Sequence, residues 1–152
     1  MFNELALSTV MALLAVSIHG FGLLALGRGL EIFEVRAGRS YVEGPLWRHA
    51  LLTIAVVLGL FVIHGLEIWM YAALYRLIGA VPDLRDAVYY SSISYGSIGY
   101  SDALMAREWR LLGAIEGVAG AILLGWSVAF FVSVMTPFTS RRKHGPLHRD
   151  IP

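Results

Sequence analysis

Residues Asp83 to Asp102 read DLRDAVYYSSISYGSIGYSD, and this stretch decides how the rest of the chain is interpreted. Its first part, from about Leu84 to Tyr95, is short, partly polar and rich in serine and tyrosine. A helix that crosses a membrane needs about 20 apolar residues, so this segment is too short to cross. Its length suits a helix that enters the membrane and turns back, surrounded by protein or by a water-filled cavity.

Three long apolar segments flank this stretch and place the chain in a membrane. They cover about residues 5–26, 50–78 and 111–138, and each is long enough for a membrane-crossing helix. Hydrophobic residues make up 57% of the 152 residues, whereas soluble domains have roughly 45–50%. The sequence therefore predicts an all-α membrane protein with three transmembrane helices and one re-entrant helix.

Composition also excludes several function classes. The chain has no cysteine, so disulfides, thiolate metal sites and cysteine nucleophiles are ruled out. A formal net charge of +1 provides no basic surface for nucleic acid. Because the sequence has neither a nucleophile motif nor a diagnostic metal-ligand spacing, we expect no enzymatic activity and no cofactor.

Arginine and lysine cluster at two places that three membrane crossings put on the same side. One place is the link between the first two apolar segments, and the other is the tail after the third. The basic residues are Arg28, Arg36, Arg39, Arg48, Arg141, Arg142, Lys143 and Arg149. Since such residues favour the cytoplasmic side, we predict a cell-membrane protein with its N-terminus outside and its C-terminus in the cytoplasm.

The letters SIGYSD, from Ser97 to Asp102, resemble the filter of the potassium-channel pore region, which reads TVGYGD. The glycine, the tyrosine and the final aspartate are identical, the serine keeps a hydroxyl and the isoleucine keeps a β-branch. The aromatic pair of that family's pore helix is matched by Tyr89 and Tyr90. The order of span, short helix, filter and span also matches, over about residues 50–138.

The resemblance implies a homotetramer in a lipid bilayer that passes K⁺, or Na⁺, passively. Four copies of the loop would aim their backbone carbonyls at a common axis and replace the hydration shell of the ion. Glycine in the loop would supply the positive φ angles that turn the carbonyls inward. Asp102 would hydrogen-bond to the Tyr89 hydroxyl, and Tyr90 would support the loop. The filter residues are Ser97, Ile98, Gly99, Tyr100 and Ser101.

On this basis the chain divides into three parts. Residues 1–48 form an N-terminal transmembrane helix and a cytoplasmic link, residues 49–138 form the pore domain, and residues 139–152 form a basic cytoplasmic tail. The resemblance places a gating hinge in the last helix at Gly120, with Gly125 as the nearby alternative. Small residues recur on that helix at four-residue spacing, which favours close packing between subunits. They are Gly113, Gly117, Ala121 and Gly125.

One departure from the filter pattern leaves alternatives open. Ser101 stands where the family has its second glycine, and serine has a steric cost at positive φ. The outermost carbonyl ring is therefore expected to be distorted, which favours a weakly selective cation channel. A non-conducting membrane regulatory subunit that kept the fold is a further alternative. An enzyme or proton-coupled transporter ranks last.

Ionisable residues within the apolar segments form a candidate buried network. His64 and Glu67 share a helix face, and Glu116 is expected at the depth of the short helix. We favour a hydrogen-bonded cluster that holds the spans to the short helix over a network that tunes gating by protonation. These three residues lack a diagnostic metal-ligand spacing, so no side-chain metal site is predicted. His19 is expected to be a packed polar residue.

Overall fold

The structure, a computed structural model, describes residues 2–37 and 45–140. Within these residues it contains helices and no strand. Arg39 of the predicted cytoplasmic link and residues 141–152 of the predicted basic tail lie outside the described residues.

Four α-helices follow one another along the chain. They are α1 (Phe2–Ala37), α2 (Leu46–Leu77), α3 (Leu84–Tyr95) and α4 (Arg110–Ser140), with a 3-10 turn at Arg107–Trp109 before α4. Three stretches are long and apolar enough to cross a membrane, namely Phe2–Phe33, Leu46–Leu77 and Arg107–Thr136. This confirms the all-α membrane fold. The helix α1 runs past the predicted end near residue 26, because Arg28 and Glu31 are good helix formers although they are not apolar.

The short helix α3 has the predicted bounds, and local chemistry explains where it begins. The Asp83 side chain accepts hydrogen bonds from the backbone amides of Arg85 and Asp86, at 2.9 and 3.1 Å. These are amides that the first helical turn leaves without a partner, so Asp83 is an N-cap. The turn that joins α2 to α3 contains Gly79 with φ of +70°, a conformation that glycine adopts at little cost.

Small residues bring α1 close to α2. A side chain at Gly22 would meet Ile63, and one at Gly59 would meet Leu26. In these two contacts the residue from α1 moves from 22 to 26 while its partner on α2 moves from 63 to 59, so the two helices are antiparallel. Close approach of this kind is how helices pack in lipid, where apolar burial gives little drive.

Three glycines of α4 make room for contacts within the chain, while the expected packing between subunits stays a prediction. Gly113 faces the Tyr90 side chain, Gly117 faces the Tyr100 hydroxyl, and Gly120 faces the backbone of Tyr95. Each glycine therefore gives α3 or the residues after it room to lie against α4. Gly125 has no such neighbour within 4 Å.

Candidate functional site

The residues that follow α3, Ser97 to Asp102, form the filter segment. The α3 helix ends in a Schellman motif: the Ile98 amide donates to the Ile93 carbonyl at 2.8 Å, and the Ser97 amide to the Ser94 carbonyl at 2.9 Å. The Gly99 amide also donates to the Ile93 carbonyl, at 3.2 Å. The amides at the start of the filter segment are thus fastened to the end of α3.

The position with positive φ differs from the expectation. Ser97 has φ of 53°, whereas Gly99 and Ser101 are not among the described residues with positive φ. The reason is the Schellman motif, which needs a left-handed residue just beyond the helix end, and that residue is Ser97. Its hydroxyl lies 3.4 Å from the Gly117 carbonyl, to which it donates.

The carbonyl oxygens of the filter segment fall into two groups. The Ser101 carbonyl accepts from the Leu104 amide at 3.1 Å, and the Asp102 carbonyl accepts from Arg110 Nη2 at 2.8 Å. In the part of the chain that the structure describes, no hydrogen bond ends on the carbonyls of residues 97–100. Four consecutive carbonyl oxygens are therefore without a hydrogen bond from the described residues.

The expected contact of Asp102 with Tyr89 is absent from the described residues. The Asp102 carboxylate lies 3.1 Å from Arg110 Nη1, and the Tyr89 side chain is 57% exposed. Of the two neighbouring tyrosines, Tyr90 is the buried one. Successive residues on a helix point in different directions, and the side of α3 that faces α4 carries Tyr90.

Behind α3, a first polar group, the Glu116 cluster, joins three helices. The Glu116 carboxylate accepts from the Tyr75 hydroxyl of α2 and from the Ser91 hydroxyl of α3, each at 2.5 Å. Ser91 also lies 3.0 Å from the Ile68 carbonyl. All three side chains of the cluster are fully buried.

A second polar group, the Glu67 cluster, includes His19, which the sequence predicted to be a packed polar residue but did not link to Glu67. Glu67 Oε1 lies 3.0 Å from His19 Nδ1 of α1, and Glu67 Oε2 lies 3.3 Å from His64 Nδ1. The Tyr95 hydroxyl donates to Glu67 Oε2 and lies 2.8 Å from His64 Nδ1. Ser127 Oγ of α4 lies 2.9 Å from His64 Nε2 and 3.4 Å from His19 Nε2.

The predicted network of His64, Glu67 and Glu116 is therefore split between two clusters. Because α4 presents Glu116 to Tyr75 and Ser91, the structure gives it no hydrogen bond to His64 or Glu67. No local sequence signal linked His19 to Glu67, since the two are 48 positions apart. Their contact follows from the packing of α1 on α2.

The Glu116 and Glu67 clusters both connect α3 to the longer helices through side-chain hydrogen bonds. Tyr95 is the last residue of α3, so the Glu67 cluster touches the chain two residues before the filter segment begins. A carboxyl group inside a membrane is costly unless it is hydrogen-bonded, and here both Glu67 and Glu116 are. The arrangement can fix the position of the filter segment relative to the membrane-crossing helices.

Comparison with known proteins adds one finding. Residues 51–137 match the model of a protein family described as an ion channel. The match covers most of α2, all of α3, the filter segment and most of α4, and it leaves α1 outside. No curated protein and no solved structure matches the chain.

Proposed function

The chain belongs to this ion-channel family, and on that premise we propose that it passes K⁺ or other monovalent cations passively through the filter segments of four copies. The observation that carries the proposal is the run of four consecutive carbonyls, at residues 97–100, that have no hydrogen-bond partner among residues 2–37 and 45–140. Polar backbone groups inside a membrane protein are nearly always paired. A dehydrated cation is the partner that such a row of oxygens suits.

Assembly into a homotetramer follows from the same row of oxygens. A bare cation needs oxygens on all sides, and one chain can surround it on one side only. The filter segment is also open in the isolated chain, where Ile98 is 78% exposed. Neighbouring copies would cover this apolar side chain and complete the ring of carbonyls.

The Ser101 carbonyl supports modest, not strict, preference for K⁺ over Na⁺. Its oxygen already accepts a hydrogen bond from the Leu104 amide, which competes with an ion for this oxygen and weakens an outermost ring. A filter with four full rings of backbone carbonyls and a weakened fifth ring holds a dehydrated ion at fewer positions. Weakly selective conduction is therefore the second candidate function, and Ser101 is the residue that favours it.

The orientation and the hinge are part of the same proposal. The filter segment and Asp83 lie at one end of the helices, while Arg28 and Arg48 lie toward the other, which becomes the cytoplasmic side of the cell membrane. The N-terminus of α1 is then outside. We place the gating hinge at Gly125, because Gly120 packs tightly against the backbone of Tyr95 whereas Gly125 is free of such contacts.

Conduction is tested with purified protein in planar bilayers, by measuring reversal potentials in opposed KCl and NaCl gradients. Gly99→Ala is the decisive variant, because an added Cβ at Gly99 meets nothing within 4 Å in one chain. Loss of current with unchanged stability would then come from the assembled filter. Gly29→Ala on α1 is the matched control, since its Cβ also meets nothing within 4 Å, and it should conduct normally.

The selectivity proposal has its own variant. Ser101→Gly should raise the permeability ratio of K⁺ to Na⁺, because glycine lets this carbonyl turn without steric cost. Unchanged ion ratios would remove Ser101 as the cause of weak selectivity. Absence of current from the unmodified protein at every voltage, pH and membrane tension would instead favour the non-conducting subunit.

A further inference from the structure

The Glu67 cluster has the donor set of a transition-metal site. His19, His64 and Glu67 each offer one ligand atom, and these three atoms lie within 4.8 Å of one another. The side chains of His19 and Glu67 are fully buried, and that of His64 is 14% exposed. We propose that these three residues bind one divalent transition-metal ion, of which Zn²⁺ is the best fit, in the interior of the helix bundle.

The distances within the cluster suit such an ion. Zinc binds imidazole nitrogen and carboxylate oxygen at about 2.0–2.2 Å, so tetrahedral ligand atoms lie about 3.3 Å apart. The separations from Glu67 Oε1 to His19 Nδ1 and from Glu67 Oε2 to His64 Nδ1 are 3.0 and 3.3 Å. All three ligand atoms lie within 4.8 Å of one another, so the side chains would have to close in slightly to surround one ion.

The orientation of the two imidazoles is the stronger argument. Both rings turn Nδ1 toward Glu67 and Nε2 toward Ser127. Histidine ligands of metals usually donate their second ring nitrogen to an oxygen, which fixes the tautomer and the ring. Ser127 Oγ is such an oxygen for both rings, so one hydroxyl positions two ligands.

The Tyr95 hydroxyl is the available fourth ligand. It hydrogen-bonds Glu67 Oε2 and lies 2.8 Å from His64 Nδ1. With Tyr95 included, the site takes donors from α1, α2 and α3. Imidazole nitrogen favours zinc and its transition-metal neighbours over Mg²⁺ and Ca²⁺, which prefer oxygen.

The test titrates chelator-stripped, full-length protein in detergent with Zn²⁺ alone, using calorimetry and metal analysis after desalting. We expect one saturable Zn²⁺ per chain, no competition by Mg²⁺, and a raised unfolding temperature. His19→Gln and His64→Gln keep a polar side chain in place and should each weaken binding by at least about 100-fold. His49→Gln, also on α2, is the matched control and should bind as the unmodified protein does.

Several outcomes would overturn the proposal. They are absence of saturable binding, binding that survives both glutamine variants, and binding that is lost when His144 and His148 of the tail are replaced. If a glutamine variant fails to fold, Ser127→Ala is the second probe, because it removes one hydroxyl and should weaken binding about tenfold. Unchanged affinity in Ser127→Ala counts against the site. None of these measurements depends on whether the protein conducts.

Discussion

The filter segment differs from the two buried glutamates that support it, Glu67 and Glu116, in how its oxygen atoms are hydrogen-bonded. All four carboxylate oxygens of Glu67 and Glu116 have a partner from another helix of the same chain. The carbonyls of residues 97–100 have no hydrogen-bond partner within the described part of the chain. A single chain thus pairs the carboxyl groups that support its filter segment and leaves four carbonyls of that segment without a partner among its described residues. Under the proposed function, ions and further copies supply these partners.

The largest expected effect on stability comes from Glu116→Ala, which removes the hydrogen bonds of one of the two buried glutamates. The Tyr75 hydroxyl would be left buried without its acceptor, while Ser91 would keep the Ile68 carbonyl. An unpaired buried group and the space left by the side chain together should lower the free energy of unfolding by about 3 kcal/mol. Denaturant titration in detergent measures this loss.

The control for that variant is Glu108→Ala, which removes an exposed carboxylate from the turn before α4. It should change the free energy of unfolding by less than about 0.5 kcal/mol. Equal losses for the two variants would mean that the Glu116 cluster does not stabilise the fold.

A smaller effect is expected where α4 meets the end of α3. Gly120→Ala places a Cβ against the backbone of Tyr95, which cannot move aside as a flexible side chain would. Overpacking of this kind should cost about 2 kcal/mol. Gly125→Ala, on the same helix with open space around it, should stay within about 0.5 kcal/mol. Denaturant titration measures both variants. Equal stabilities would contradict the close packing of Gly120 against the Tyr95 backbone.

The start of α3 offers a third way to probe the support of the filter segment. Asp83→Ala removes the N-cap and should cost about 1 kcal/mol, whereas Asp83→Asn keeps a capping oxygen and should cost only a few tenths. Thermal unfolding followed by circular dichroism separates the two. If asparagine is as damaging as alanine, the charge of Asp83 matters more than its cap.

The smallest effect is expected within the filter segment. The pair between Asp102 and Arg110 is exposed, at 74% and 42% of the side chains, so solvent and salt screen it. Asp102→Asn should lower stability by less than about 0.5 kcal/mol, and less still at high salt. Denaturant titration at two salt concentrations checks this. A loss well above that value in the assembled protein would reveal a contact of Asp102 with another copy.

Sequence predicted the elements better than their contacts. Hydropathy and length gave the three spans, and the polar segment from Leu84 to Tyr95 gave the short helix, because these properties are local. The partners of Asp102 and Glu116 depend on which faces of α3 and α4 meet, and no local pattern encodes that. The contact of His19 with Glu67 depends on the axial position of α1 relative to α2, and the close packing at Gly22 and Gly59 determines that position.

The contact between His19 and Glu67 also decides whether α1 is an accessory. A shortened polypeptide beginning at Pro45 would retain everything that the family match covers. It would nevertheless lack His19, so Glu67 Oε1, an oxygen of a buried carboxyl group, would lose its hydrogen bond. The leading helix α1 therefore completes the hydrogen bonding of Glu67, and a polypeptide without it should unfold at a lower temperature than the full-length chain.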